Sequence, residues 1–288
     1  MQKSNKNMTN FKVMLANPVA ENLDFKTQTY FIQPKLDGVR CYITKDGAFS
    51  RNHKQFHNVK HILTELKPFF NDNPNIILDG ELYNHRFRDN FNKIISLVRK
   101  QKPSQADKFE ASSHLQFHCY DLYDSKNAEK QFIDRTLNII KFKSIYGWRS
   151  IQTVDTNVIF SQSDLNKFHK LNKQNKYEGS IVRNNNPYDQ RRSNNLQKVK
   201  DWSDTEITIT GFIQGKGKFK HGLGKFLGVD SDNRLVEVPW PTLTIPERQT
   251  TWQNRKEFIG KTLTFEYFER TPAGAYRFPR AKAIRNYE

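Results

Sequence analysis

Apolar and polar positions before Trp202 follow two periods, and each period predicts a different kind of element. Short apolar runs predict β-strands at TYFIQPK, VRCYITKDG, AFSRN, NIILDGELY, LQFHCYDLYD, KYEGSIVRNN and NLQKVKDW. Apolar residues three and four apart predict helices at HNVKHILTELKPFF, RDNFNKIISLVRK, QFIDRTLNIIKFKSIYG and SDLNKFHKLNKQN, the last starting at Ser163 or Asp164. The polar stretch NNPYDQRRSNN predicts a loop, and residues 1 to about 27 predict an arm or cap. The mixture indicates an α+β domain.

The pattern changes after Trp202. TEITITGFI alternates strictly, and RLVEVPW, KTLTFEYFE and AYRFPRAKAIR predict further strands. One short helical piece is predicted near Gln249 to Ile259. The sequence therefore predicts two domains, residues 1–202 and a small all-β barrel over residues 203–288.

The charge of the chain indicates its partner. Lys and Arg number 47 against 30 Asp and Glu, a formal charge of +17 over 288 residues. Such an excess favours an extended polyanion, and nucleic acid is the first candidate. A membrane partner is less favoured, because the sequence has no basic amphipathic helix and no apolar run of membrane-spanning length. A basic protein that is simply soluble is the alternative.

The cysteines and the N-terminus indicate the compartment. Cys41 and Cys119 lie in apolar strand-like runs without a CxxC pair, which predicts buried thiols and makes a four-ligand zinc site improbable. The polar start MQKSNKNMTN lacks an apolar signal core. We expect a soluble intracellular protein in a reducing compartment.

The stretch IQPKLDGVR raises the question of chemistry. Lys35 could attack phosphorus only as a neutral amine, whereas a lysine side chain ordinarily has a pKa of about 10.4. Neighbouring cations and burial lower that pKa. Arg40 is five residues on, and Lys198 and Lys200 lie on a late predicted strand with parallel side chains. The alternative is a hairpin with flanking surface charges.

Two carboxylates and a lysine pair add to this picture. Glu81 ends a buried apolar strand, where a carboxylate is costly unless it meets a ribose hydroxyl, metal-bound water or a structural arginine. Glu178 starts another strand, and the two glutamates could share a metal and a sugar. Lys198 and Lys200 are two apart, so both face one side of a strand, which suits a triphosphate. A solvated face is the alternative for the lysine pair.

KLDGVR, SRNHK, LDGEL, FHCYD, EGSIVR and LQKVK together resemble, in order, the nucleotidyl transferase motifs of ATP-dependent DNA ligases. The resemblance runs from about Ile32 to Arg285. It implies a nucleotidyltransferase domain followed by an OB-fold domain, with ATP and Mg²⁺ as cofactors. It also implies roles for individual residues: Lys35 is adenylylated, Arg40, Lys198 and Lys200 bind phosphate, Gln33 lies near the adenine edge, Tyr120 stacks on adenine, Glu81 contacts the ribose, and Glu178 with Glu81 holds metal.

The same resemblance implies contacts with nicked duplex DNA. Arg51 would touch the 5′-phosphate at the nick, and the other basic candidates for DNA contact are Lys54, Arg191, Arg192, Lys216 and Lys218. YRFPRAKAIR is similar to the last family motif, in which Arg285 would meet the pyrophosphate. In that family motif an acidic residue and a lysine commonly follow the arginine, whereas in this chain Arg285 is followed by Asn-Tyr-Glu, giving RNYE. The chain resembles minimal ligases of phages, other viruses and some bacteria, so we expect a monomer in the cytoplasm of a prokaryotic or virus-infected cell.

Other protein classes share parts of this pattern. An mRNA capping guanylyltransferase or an RNA ligase shares the KxDG core, and the former uses GTP. A non-catalytic DNA-binding protein with an OB domain would explain the charge. It would not explain the two glutamates at strand positions or the ordered motifs.

Overall fold

A computed structural model describes residues 11–19, 23–199, 201–268, 270–271 and 274–285 of the chain. The chain divides into two compact units, Met1–Val199 and Lys200–Glu288. The sequence places its boundary slightly later, after residue 202, and that position stays a prediction.

The first unit contains two five-stranded sheets. One has the order β1-β10-β9-β2-β8, with strands β1 Leu15–Pro18, β2 Tyr30–Lys35, β8 Asn157–Ile159, β9 Gly179–Asn184 and β10 Arg192–Val199. The other has the order β4-β3-β5-β6-β7, with β3 Val39–Thr44, β4 Gly47–Phe49, β5 Ile76–Tyr83, β6 Gln116–Asp124 and β7 Ile151–Thr153. Pairing is antiparallel except between β1 and β10 and between β6 and β7.

Five helices belong to the same unit: α1 Lys60–Asp72, α2 Phe91–Val98, α3 Gln105–His114, α4 Phe132–Tyr146 and α5 Gln162–Gln174. Apolar side chains of α1, α2 and α4 pack with β3, β5 and β6 in the largest core cluster. Helix α4 ends at Gly147, whose left-handed backbone (φ 62°) favours glycine. The four predicted helices and the α+β class are thus confirmed.

The residues that join the two sheets explain why the KLDG stretch is not a hairpin. Lys35 ends β2 in one sheet, and Val39 begins β3 in the other. A β-hairpin lies further on, where Thr44 pairs with Gly47 across a two-residue turn. The KLDG segment therefore carries the chain from one sheet to the other.

The sequence misses several elements of the first unit. Residues 11–19, which lie in the predicted arm or cap, pack against the core: Phe11 is buried with its ring 5.2 Å from that of Tyr42. The pattern did not predict that β1 within this segment pairs with the distant β10. Helix α3, which the pattern did not predict, starts with a reciprocal cap between Ser104 and Asp107. The three-residue strands β7 and β8 were also missed.

Two predicted boundaries in the first unit were wrong. Helix α5 is capped by Ser161, because its hydroxyl accepts from the Asp164 amide, so neither Ser163 nor Asp164 begins the helix. The predicted loop NNPYDQRRSNN becomes strand from Arg192, since it pairs with β1. In that loop Tyr188 is buried and holds the segment against the core.

The second unit has one five-stranded sheet of order β13-β12-β11-β14-β15. Its elements are β11 Ser203–Gln214, β12 Leu223–Val229, β13 Leu235–Pro239, α6 Ile245–Gln253, β14 Thr262–Tyr267 and β15 Arg280–Arg285. Helix α6 begins at a Thr244–Glu247 capping box, well before the predicted Gln249. Apolar residues alternate inward along these strands and form a separate core, as the strict alternation predicts.

Candidate active site

The crossing from β2 to β3 places Lys35 at the end of a strand and turns the chain sharply behind it. Gly38 makes this turn possible. A Cβ atom added there would lie 2.6 Å from the Leu82 carbonyl oxygen and 2.7 Å from Glu81 Cγ. Any larger residue would push β3 away from β5, so glycine fixes the distance between Lys35 and the Glu81 strand.

Lys35 and Glu178 face each other across two paired strands. Lys35 is opposite Gly179 in the β2–β9 register, and the Glu178 amide donates to the Lys35 carbonyl oxygen over 3.1 Å. The Lys35 ammonium also donates to Glu178 Oε2. The side chains are 23% and 7% exposed, respectively, so the pair is open to a ligand chiefly on the lysine side. The two motifs that the sequence singled out do meet.

Arg40 and Glu81 are also neighbours, but Arg40 uses another carboxylate. They are opposite each other in the β3–β5 register. The Arg40 guanidinium nevertheless binds Asp79 through both ends, with Nε to Oδ1 at 3.1 Å and Nη2 to Oδ2 at 2.6 Å. The Tyr188 hydroxyl donates to the same Oδ2 over 2.7 Å. Asp79 therefore holds Arg40 in place and leaves the Glu81 carboxyl for another role.

Glu81 has a strongly perturbed acidity. Burial raises the pKa of Glu81 to about 8, although the nearby Lys35 and Arg40 act in the opposite direction. A carboxyl group with this pKa is largely neutral near pH 7. It can hydrogen bond to a hydroxyl in either protonation state, but a metal ion requires the ionised form.

Tyr120 and Gln33 lie on the other side of the site. The guanidinium carbons of Arg40 and Arg183 lie 5.6 and 5.4 Å from the centre of the Tyr120 ring. Gln33 is buried, and its Nε2 donates to Thr156 Oγ1 at 2.9 Å and to the Tyr120 carbonyl oxygen at 3.3 Å. Its Oε1 accepts from Arg183 at 2.8 Å. Both ends of the Gln33 amide are therefore held.

Behind Gln33 lies a buried group of two arginines on one aspartate. Asp121 Oδ2 accepts from Arg183 at 2.7 Å, and Asp121 Oδ1 accepts from Arg135 Nε at 2.7 Å. The Asp121 side chain is fully buried, and each arginine side chain is 3% exposed. Charges this deep are tolerated only when paired and hydrogen bonded. The group fixes Arg183, and through it Gln33.

These side chains surround one cavity of about 230 Å³, lined among others by Gln33, Lys35, Arg40, Glu81, Tyr120 and Arg183. A larger surface cleft of about 610 Å³ lies between the β3–β4 turn and α1. It is lined by Lys45, Lys60 and Lys67 but by none of the predicted site residues. We place the chemistry in the smaller cavity, because its lining brings together Lys35, Glu81 and Tyr120 from three separate motifs.

The late lysine pair is described only in part. Lys198 lies on β10 opposite Ile181 of β9, and its carbonyl oxygen accepts from the Val19 amide. Lys200 lies outside the described residues. The placement of the two lysines on one face of a strand therefore stays a prediction.

The basic residues predicted to meet DNA occupy different settings. Arg51 and Lys54 are exposed on the turn after β4. Arg191 pairs with Asp189, and Arg192 donates to the Ala16 carbonyl oxygen, so both are tied to their own unit.

In the second unit, Lys216 and Lys218 are exposed around a short 3₁₀ turn. Arg285 Nε donates to Thr264 Oγ1 at 2.9 Å and lies 4.0 Å from Glu206 Oε1. The residues after Arg285, which complete RNYE, lie outside the described part of the chain.

The described residues also include the two cysteines. Cys41 and Cys119 are buried free thiols, as predicted. Within the described ranges, no cluster of three or more His, Cys, Asp or Glu could hold a metal by itself. Nor is any described helix long and apolar enough to cross a membrane.

Sequence reasoning did not identify Asp79, Asp121, Arg135, Arg183 or Tyr188 as part of the site. Three of these lie inside quoted motifs: Asp79 in LDGEL, Asp121 in FHCYD and Arg183 in EGSIVR. A charged residue inside an apolar strand is itself a signal, because its burial requires a partner. The partners of these residues lie far away in sequence.

Comparison with known proteins gives the class and the family. The ATP dependent DNA ligase domain matches residues 13–200, and the DNA ligase OB-like domain matches residues 214–285. The fold is thus a nucleotidyltransferase domain followed by an OB-like domain. The chain belongs to the ATP-dependent DNA ligase family and is an enzyme of that class.

Individual DNA ligases are similar to this chain in sequence or in structure. A DNA ligase of Haemophilus influenzae is 23% identical over 252 residues, covering 86% of this chain and 84% of that protein. A structure of Lig E DNA ligases, described as binding DNA with a minimal scaffold, has a TM-score of 0.76 at 21% identity and covers 95% of this chain and 99% of that one. The bacteriophage T7 ATP-dependent DNA ligase, complexed with ATP, has a TM-score of 0.54 at 17% identity, with coverage of 95% and 98%. These structures share the fold.

Proposed function

We propose that this enzyme seals nicks in duplex DNA through a covalent intermediate between Lys35 and AMP. The observation that carries the proposal is the position of the Lys35 amine. It contacts the Glu178 carboxylate and lines a cavity that also holds Arg40, Glu81 and Tyr120. A nucleophile, a proton acceptor, a phosphate-binding cation and an aromatic surface are the groups that nucleotide transfer to an amine requires.

In the first step, Lys35 Nζ forms a bond to the α-phosphorus of ATP, and the bond to the β-phosphate oxygen breaks to release pyrophosphate. Nζ must lose a proton to attack, and Glu178 is its hydrogen-bond partner. Arg40 and the predicted phosphate ligands Lys198 and Lys200 would stabilise the developing charge. Arg285 would meet the leaving pyrophosphate.

The nucleotide would lie with its adenine on the Tyr120 ring and its edge towards Gln33. The ribose would hydrogen bond to Glu81, which suits either protonation state of that carboxyl group. Mg²⁺ fits Glu178 better than Glu81, because burial raises the pKa of Glu81 to about 8. A magnesium ion bound by Glu178 and phosphate oxygens would neutralise triphosphate charge, since Mg²⁺ is commonly held by few carboxylates and substrate phosphates.

Two further transfers complete the reaction. A 5′-phosphate oxygen at the nick attacks the AMP phosphorus, and the bond to Lys35 Nζ breaks. The neighbouring 3′-hydroxyl then attacks the 5′-phosphorus, forms the phosphodiester bond and releases AMP. Nicked duplex DNA is the proposed partner, and the exposed cations Arg51, Lys54, Lys216 and Lys218 would meet its phosphates. Arg191 and Arg192 remain weaker candidates because each already has a partner.

The test uses a duplex with one nick, a labelled 5′-phosphate, ATP and Mg²⁺. We expect the wild-type enzyme to join the strands and the Lys35→Ala variant to join none. With labelled ATP, the wild-type protein should carry the label after denaturing electrophoresis, and Lys35→Ala should not. Sealing by Lys35→Ala would overturn the role of Lys35, whereas labelling by GTP alone would favour the capping-enzyme alternative.

A further inference from the structure

The turn between β4 and the segment leading to α1 contains a residue with an unusual backbone. His53 has φ 60°, in the left-handed region where a side chain is uncommon and glycine is favoured. The turn is nevertheless tightly closed. The Ser50 amide donates to the Lys54 carbonyl oxygen at 2.8 Å, and the His53 amide donates to the Ser50 carbonyl oxygen at 2.9 Å. Glycine would fit this backbone more easily, so the imidazole ring requires an explanation.

One ring nitrogen of His53 is already occupied. Its Nδ1 lies 2.7 Å from the hydroxyl oxygen of Tyr42, which is buried between Phe11 and Phe49. Burial raises the pKa of Tyr42, so the phenol keeps its proton near neutrality. Among the described residues, His53 is the hydrogen-bond partner of that hydroxyl. When the phenol donates to Nδ1, the imidazole proton is on Nε2.

The other ring nitrogen is directed away from this bond, on an exposed residue. His53 stands between Arg51 and Lys54, and all three side chains are exposed on the same five-residue turn. Within the described part of the chain, none of the three forms an ion pair, and Nε2 has no hydrogen-bond partner. A fixed N–H donor between two unpaired cations is a chemical match for phosphate oxygens.

We propose that His53 is a nucleic-acid phosphate ligand, with Tyr42 fixing the tautomer that presents Nε2–H. The inference rests on the proposed DNA ligase function and adds a neutral donor to the two cations of the turn. Residues in sparsely populated backbone conformations cluster at binding sites.

The test compares variants that separate the ring from its anchor. The probe is a nicked duplex ending in a 3′-dideoxynucleotide at the nick, so that binding is measured without sealing. His53→Gly keeps the left-handed backbone and removes the donor. We expect it to weaken binding about fivefold, the value of one hydrogen bond. Tyr42→Phe keeps the ring but loses the bond that fixes its tautomer, so its affinity should lie between those of His53→Gly and the wild type. Equal binding by His53→Gly and the wild type would overturn the proposal.

Salt dependence distinguishes a neutral donor from a cation. His53→Gly should leave the slope of log affinity against log salt unchanged, because a neutral donor displaces no counterion. Arg51→Gln should reduce that slope by about 0.9. A comparable slope change in His53→Gly would contradict the neutral donor. His57→Ala, an exposed histidine outside the turn, is the matched control and should bind as the wild type.

Two measurements keep this test separate from the proposed function and from misfolding. Lys35 labelling by ATP should be the same in His53→Gly and the wild type, which shows an intact first step. If the wild type itself fails to seal nicked DNA, that result overturns the proposed function. If the wild type seals and His53→Gly binds nicked DNA equally well, only the His53 assignment is overturned. Nitrogen NMR of labelled histidine should show the Nε2–H tautomer for His53 and a shift of that nitrogen on DNA addition. The opposite tautomer, or no shift, would overturn the inference.

Discussion

Asp79 binds both ends of the Arg40 guanidinium, at 3.1 and 2.6 Å, while it also accepts the Tyr188 hydroxyl at 2.7 Å. The carboxylate is 1% exposed. Arg40 is thereby held beside the cavity in one orientation, and a loop residue from a distant part of the chain is tied to the same atom. The orientation of Arg40, which we propose as a phosphate ligand, depends on a buried residue that need not touch substrate.

Replacing Asp79 with Asn should therefore affect both stability and the first step. The change leaves Arg40 without its charge partner, and breaking such a pair costs about 3 kcal/mol. We expect a loss of that size in urea unfolding followed by circular dichroism, and at least tenfold slower Lys35 labelling by ATP. Tyr188→Phe is the control, since it keeps the ion pair and should cost about 1 kcal/mol. Equal rates for both variants would show that Arg40 is held by other contacts.

A second prediction concerns the pH dependence of stability. Burial raises the pKa of Glu81 to about 8, whereas an unfolded glutamate titrates near 4.5. As pH rises between these values, the carboxyl group ionises in the unfolded state but not in the folded state. The unfolded state is therefore stabilised relative to the folded state. Glu81 should thus favour folding fully below about pH 4.5, and this contribution is lost as the pH rises towards 8.

The variant Glu81→Gln removes this titration. In the absence of ATP, its melting temperature should exceed that of the wild type by several degrees at pH 8, with a smaller difference at pH 5. Glu129→Gln, at an exposed residue, provides the control and should show no pH-dependent difference. A constant difference between Glu81→Gln and wild type across this range would contradict the raised pKa.

Local sequence patterns predicted most of the regular elements in the first unit. The strand TYFIQPK and the helix that stops at Gly147 follow from apolar periodicity and a glycine cap. The pattern did not predict β1, because its four residues become a strand only through pairing with β10 far along the chain. Helix α3 was missed although Ser104 and Asp107 form a recognisable cap, since its apolar face is weak.

The candidate site was predictable where one motif carries the chemistry. Lys35, Glu81 and Tyr120 each stand in a quoted motif and line one cavity. The pairings were not predictable, because the sequence does not say which carboxylate an arginine will meet. Arg40 binds Asp79 although Glu81 is its direct cross-strand neighbour. Such choices depend on the side-chain directions of three strands at once.

A third prediction follows from the Arg183 contacts. Arg183 donates to Gln33 at 2.8 Å and to Asp121 at 2.7 Å, and a lysine cannot reproduce both bonds with a planar fork. Arg183→Lys should raise the ATP concentration for half-maximal Lys35 labelling about fivefold or more. Arg135→Lys also loses contacts with Asp121 but none with Gln33, and it should stay within twofold. If both variants require the same ATP concentration, Gln33 does not depend on Arg183 for its orientation.

The last prediction tests the close approach at the KLDG crossing. Gly38→Ala would place a Cβ 2.6 Å from the Leu82 carbonyl oxygen and 2.7 Å from Glu81 Cγ, so β3 and β5 must separate near Lys35. We expect about 2 kcal/mol of lost stability and at least tenfold slower Lys35 labelling.

Gly147→Ala is the matched control for this substitution. It also strains the backbone, because Gly147 has φ 62°, but an added Cβ meets no atom within 4 Å. It should cost about 1 kcal/mol in stability and leave Lys35 labelling unchanged. Both variants add one methyl group to the same unit. If only Gly38→Ala labels Lys35 more slowly, the slower labelling results from the close contact between residue 38 and the Glu81 strand. Equal slowing in both variants would instead trace it to general destabilisation.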